Sequence, residues 1–201
     1  MLSGLASDIT GGADVCECIP KDHFSQEPFM KYVLQDEIAF IYLKSKKEHF
    51  IFTDQAVIFV LGNSAASKKR LIDRFDYGEY RLEDVRFETA GASFTDGDCE
   101  IKFKLGGREI SIDINKKSTD TAIHYYRALV ELAKAQERNY HRLVMALNEA
   151  KSKQSTLHIH SDKDVPSALA AISSDIIQFT EAIHIRYKPH SYKEVFLRYF
   201  H

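Results

Sequence analysis

The run Cys99-Glu100-Ile101-Lys102-Phe103-Lys104-Leu105 constrains the fold more than any other stretch of the chain. Apolar residues occupy alternate positions with charged residues between them, the pattern of a strand buried on one face. Gly106-Gly107 follows, and two successive residues able to adopt positive φ mark a tight hairpin turn. Alternation then resumes with Ile110, Ile112 and Ile114 pointing inward. Upstream, Ile38–Leu43, Phe50–Phe52, Ala56–Leu61, Leu71–Tyr77 and Val85–Thr89 are short β-branched and aromatic runs separated by turn material. Seven short strands without an intervening helical pattern predict a meandering antiparallel sheet folded into a small barrel.

After Lys117 the period changes. Ser118 is a suitable N-cap, and Ile123, Tyr126, Val130 and Ala133 recur at helical spacing, as do Tyr140, Val144 and Leu147. The same seam passes through Glu137, so a helix over about 118–150 carries two apolar stretches divided by a charge. The first is expected to cap the barrel and the second to pack elsewhere. A second helix is expected from Asp164, with Pro166 in its first turn and a seam of Leu169, Ile172, Ile176, Phe179 and Ile183. These two stripes suit an antiparallel helical hairpin. Ser191 and Glu194 form a capping-box pattern opening a last helix, Tyr192–Phe200. Its Val195, Phe196, Leu197, Tyr199 and Phe200 are expected to dock on the helical hairpin or on a neighbouring subunit.

Composition excludes several classes. The 201 residues are 44% hydrophobic and 28% charged, with no uninterrupted apolar run long enough for a membrane span. The N-terminal segment lacks a basic region and carries Asp8 and Asp14, which makes it a poor signal peptide, and Gly4, Gly11 and Gly12 predict a loose arm. Residues 1–117 hold 16 Lys/Arg against 20 Asp/Glu, a net of −4, and the remainder 11 against 9. No nucleic-acid footprint is present in that balance. Three cysteines without paired spacing fit a reducing, cytoplasmic setting and idle thiols.

The ordered segments FTDQAVIFVLGNSAASKKRLIDRFDY (52–77), VRFETAG (85–91) and DCEIKFKLGGREISIDINKK (98–117) resemble the bacterial pleckstrin-homology-like (PH-like) domain family. Residues from about 130 onward are similar to the C-terminal extension of its YvbH-type members, a region proposed to serve oligomerisation. The resemblance implies an α+β fold: a seven-stranded antiparallel PH-like barrel capped by a C-terminal helix, then an all-helical extension. The expected division is a barrel domain over 1–136 and an extension over 137–201. It also implies a homo-oligomer, ring-shaped in relatives, and it implies no cofactor and no chemistry, so the chain is expected not to be an enzyme.

Candidate sites follow from these readings. The first hairpin offers Lys44, Lys46 and Lys47, and the next junction Lys68, Lys69 and Arg70, a cluster that could meet an anionic surface if it converged. The competing reading is a set of solvated lysines guarding a strand edge. His158, His160, Asp162 and Asp164, if extended, would sit ~7 Å apart on one face and could hold zinc or nickel. A polar connection between helices is the plainer reading, and no metal is expected. No nucleophile motif or phosphate-cradling loop is present. Self-association is expected through the barrel, the helical extension, or both, the extension's candidates being Tyr140, Val144, Leu147, Leu169, Ile172, Ile176, Phe179, Ile183, Phe196, Tyr199 and Phe200.

Overall fold

The computed structural model describes residues 15–62, 69–89, 98–155 and 165–200. Strands β1 (Glu17–Cys18), β2 (Ala39–Lys44), β3 (Glu48–Thr53), β4 (Ala56–Gly62) and β5 (Arg70–Asp76) form one antiparallel sheet in that order. Strands β6 (Leu82–Thr89), β7 (Cys99–Leu105) and β8 (Arg108–Ile114) form a second. Helices α1 (Thr119–Ser155), α2 (Val165–Tyr187) and α3 (Lys193–Phe196) complete the order.

The expected seven-stranded barrel is replaced by eight strands in two sheets. Beside β1 the sheets meet: the Cys16 amide donates to the Asp113 carbonyl at 2.8 Å, and the Asn115 amide donates to the Cys16 carbonyl at 2.9 Å. Strand β1 went unread because two residues are too short to display a period. The β7–β8 hairpin forms as its alternation requires, with Leu105 opposite Arg108 and φ of +58° at Gly106 and +77° at Gly107. The Glu83-Asp84 interruption, read as turn material, lies inside β6 as an irregularity of register, with Asp84 at φ 52°.

The chain divides into two compact units, one of residues 1–135 with 190–201 and the other of residues 136–189. In the first unit the larger sheet is buried on both faces. Phe40, Leu43, Phe50, Phe52, Val57 and Phe59 enter the main core with Ile101, Phe103, Ile112 and α1. Tyr42, Ile51, Ile58 and Val60 form a second core, covered by Phe24, Phe29 and Met30 from two 3-10 turns, Lys21–Gln26 and Pro28–Tyr32, and by Val33 just after them. That cover explains why β2, β3 and β4 read as continuous apolar runs rather than clean alternation.

Two expectations about the helices need correction. The buried stripe of α1 in this unit is Ala122, Tyr125, Ala128, Leu129, Leu132 and Ala135, about one residue away from the seam through Ile123 and Val130. The inner stripe is rich in alanine, whose small side chain lets the helix approach the sheet, so large residues mark it poorly. Glu137 lies off this stripe and pairs with His141 at 2.6 Å, so it interrupts nothing.

The terminal segment, assigned from sequence to the extension, packs on the sheet core instead. Phe196 is fully buried and stacks on Phe40 with ring centroids 5.0 Å apart. Its helix is one turn, shorter than expected, and the capping box does not form. Ser191 donates its hydroxyl to the Asp54 carboxylate and accepts from the Lys193 amide. The reason is tertiary: the Asp54 carboxylate holds the hydroxyl where its oxygen accepts from the Lys193 amide rather than from Glu194.

Candidate functional site

The first candidate is the rim at the β2–β3 turn. Ser45 is buried there and its hydroxyl accepts from the Lys47 and Glu48 amides at 3.2 and 2.9 Å, which closes the turn. The adjacent Lys46 is exposed. Arg70 opens β5 opposite Gly62 of β4, and its guanidinium reaches to 3.5 Å from the Lys46 carbonyl oxygen. A Cβ at Gly62 would stand 2.1 Å from that guanidinium, so glycine is what leaves room for the arginine. Lys46, Lys47 and Arg70 are thereby brought to one rim, with the exposed Lys69 next in sequence. Lys44 turns away to Glu27, with Nζ 2.8 and 3.0 Å from its carboxylate oxygens. Lys68 lies outside the described residues.

His49, two residues after Lys47, is buried among aromatic rings. Its Nδ1 is 3.1 Å from the Tyr42 hydroxyl, and Phe29 meets the imidazole edge-on. At the opposite end of the sheet, Arg74 forks onto Glu37, whose side chain is wholly buried, and donates to Asp76 at 2.9 Å. The Glu37 carboxylate holds the guanidinium well above its ordinary pKa. This fixes the approach to β2 and leaves Arg74 no role on the cationic rim.

The second candidate is the apolar surface of the helical unit. Ten large hydrophobic residues among those described are exposed, and six belong to residues 136–189: Tyr140, Val144, Met145, Ile177, Phe179 and Ile185. Met145 is 71% and Ile185 79% exposed. Ile183 and Leu143 are buried, whereas Leu147, Ile172 and Ile176 are partly buried. The expected interface residues therefore split: Tyr140, Val144 and Phe179 face solvent, Ile183 does not, and the Leu169 side chain lies outside those described. Phe196 is inside the β-sheet unit's core, with Tyr199 and Phe200 packed against it. Met145, Ile177 and Ile185 escaped the sequence reading because they lie beside the 3-4 seam; adjacent apolar pairs such as Ile176-Ile177 were the available signal.

The His158–Asp164 segment lies outside the described residues. Among the described residues, no group of three His, Cys, Asp or Glu side chains could hold a metal ion. None of the three cysteines is in a disulfide: Cys16 and Cys99 are buried, Cys18 half-buried. Burial pushes the Cys18 thiol up to about 12. No helix of the described residues is long and apolar enough to cross a membrane.

Comparison with known proteins agrees with this architecture. The family model for the bacterial PH domain matches residues 13–133. The chain is 35% identical over 141 residues to the uncharacterized protein YvbH of Bacillus subtilis (strain 168), covering 69% of this chain and 68% of that protein. The crystal structure of a PH domain containing bacterial protein from Exiguobacterium sibiricum superposes with a TM-score of 0.83 at 27% identity, covering 94% of this chain and all of that one. That match reaches past the family-model span into the helical residues. Two packed antiparallel sheets, the first half of a long helix laid on their core, and a family match across more than half the sequence lead to one conclusion: the chain belongs to the bacterial PH domain family.

Proposed function

We propose that the protein is a non-enzymatic, cytoplasmic PH-like scaffold that associates with copies of itself, with residues 136–189 contributing the contact. The observation that carries this reading is the concentration of exposed apolar side chains there, six of the ten among the described residues. Single exposed hydrophobics are ordinary, and it is the high share of them falling in residues 136–189 that supports an interaction surface there. Tyr140, Phe179 and Met145 are residue types that interfaces favour. Sedimentation velocity of the full chain over a concentration series tests it. Wild type should assemble, and the double variant Met145→Glu, Ile185→Glu should remain a monomer. A monomeric wild type at every concentration defeats the reading.

A second reading, attachment to an anionic surface, is favoured by the convergence of Lys46, Lys47 and Arg70 on one rim. Each such cation near an anionic membrane is worth ~1 kcal/mol, so three give only weak, salt-sensitive binding. Flotation with phosphatidylserine vesicles separates the readings: loss of binding in Lys46→Glu, Lys47→Glu supports attachment, and wild type left in the soluble fraction removes it.

A further inference from the structure

Residues 190–200 rejoin the β-sheet unit after the whole of the helical unit has intervened in the sequence. Two of their polar anchors meet at Asp54, and His190 Nε2 adds a contact 3.6 Å from the Asp36 carboxylate. The Tyr192 amide donates to the Asp54 carbonyl at 2.7 Å, and the Ser191 hydroxyl donates to the Asp54 carboxylate. That carboxylate also accepts from the Ile38 amide at 2.8 Å, so it is fixed by the sheet's own backbone. Val195 packs on the same core, and the larger contacts are aromatic. Phe196 stacks on Phe40, Phe200 lies 6.0 Å from Phe40 and 5.7 Å from Tyr125, and Tyr192 meets Tyr77 edge-on at 6.0 Å.

The segment belongs to neither sheet. Strand β2, which carries Phe40, is paired on both sides by β1 and β3, and Tyr125 is held by α1. Lifting residues 190–200 away would break no strand ladder. It would expose a groove floored by Phe40, Tyr77 and Tyr125 with Asp54 at one end. A short amphipathic turn seated by aromatic anchors, with its charged residues Lys193, Glu194 and Arg198 facing solvent, is the helix-in-groove mode of peptide recognition.

We propose that this aromatic groove is a recognition site for the chain's own C-terminal segment, and that residues 190–200 are its displaceable cis occupant. Tethering makes the segment's binding intramolecular, so an identical free peptide competes poorly while the tethered copy is intact. Apparent affinity for the free peptide equals the intrinsic affinity multiplied by the fraction of open grooves. Weakening the tethered copy must therefore strengthen peptide binding, the reverse of what damage to a fixed core would do.

Fluorescence anisotropy with a labelled synthetic peptide of residues 190–200 reads this directly on the full chain. Phe196→Ala in the protein should bind the peptide at least ~tenfold more tightly than wild type, with Ser191→Ala intermediate. A peptide carrying Phe196→Ala and Phe200→Ala should not bind either variant. Phe200→Ala, at the half-buried end of the segment, replaces Phe196→Ala in the series if that variant does not fold. Equal affinity for all the proteins would place the peptide elsewhere and overturn the proposal. Absence of saturable binding to the folded variants would overturn it as well.

Discussion

Gly106 and Gly107 show how far single residues decide the hairpin. Both take positive φ, +58° and +77°, and nothing within 4 Å would touch a Cβ at Gly107. Any penalty at Gly107 is therefore conformational, and Gly107→Val should cost about 1–2 kcal/mol, visible as a lower denaturant midpoint at unchanged slope. Gly107→Asn should cost less, because asparagine tolerates the left-handed region. Cys18 makes a prediction about pH. Its thiol is raised by burial to about 12, and the ordinary value in an unfolded chain is ~8.5. The folded state therefore favours the protonated thiol. Its contribution is fully present below the unfolded pKa and is lost as pH rises toward the folded one. Alkylation of Cys18 by iodoacetamide at pH 8 should be slow in the native protein and fast after denaturation. Rapid native labelling would contradict the burial.

At the scale of elements, α1 carries the clearest lesson. Periodicity located a long helix but placed its inner face one residue out, because Ile123, Tyr126 and Val130 outweigh Ala122, Ala128 and Ala135 in any count of apolar bulk. Leu129 and Leu132 sit on the true inner stripe, at 1% and 0% exposure. Leu132→Ala should therefore cost about 2–5 kcal/mol, whereas Glu137→Ala, whose partner His141 is exposed, should change stability by less than ~0.5 kcal/mol. Thermal unfolding of the two variants distinguishes the observed stripe from the one expected. The β7–β8 hairpin needed no such correction. Its outer positions Glu100, Lys102 and Lys104 carry charges that pair across the strands, as in Lys102 with Glu88 at 2.8 Å and Lys104 with Asp84 at 2.6 Å. One face is charged and the other apolar, so the register has a single solution.

For the whole molecule, the two proposed surfaces should respond to salt in opposite ways. Assembly through Met145, Ile177 and Ile185 removes apolar area from water and should persist or strengthen at high ionic strength. Attachment through Lys46, Lys47 and Arg70 is screened over a Debye length of ~3 Å at 1 M salt and should vanish there. A salt titration of assembly and of vesicle binding, run on one preparation, would identify the force behind each.

The sequence by itself determined the local elements: the hairpin at Gly106-Gly107, the change of period after Lys117 and the two long helices all follow from spacing within a few residues. It also carried the family, because the matching segments are contiguous runs. Tertiary structure decided what spacing cannot encode. The 3-10 turns that cover Tyr42 and Ile51, the two-residue strand at Glu17 and the return of Phe196 to Phe40 all join residues far apart in sequence. Such contacts are selected by complementary shape and by burial of aromatic area, and neither leaves a period along the chain. The same reason separates the interface candidates: Phe179 and Phe196 are alike in sequence, and only the packed molecule places one at the surface and the other in the core.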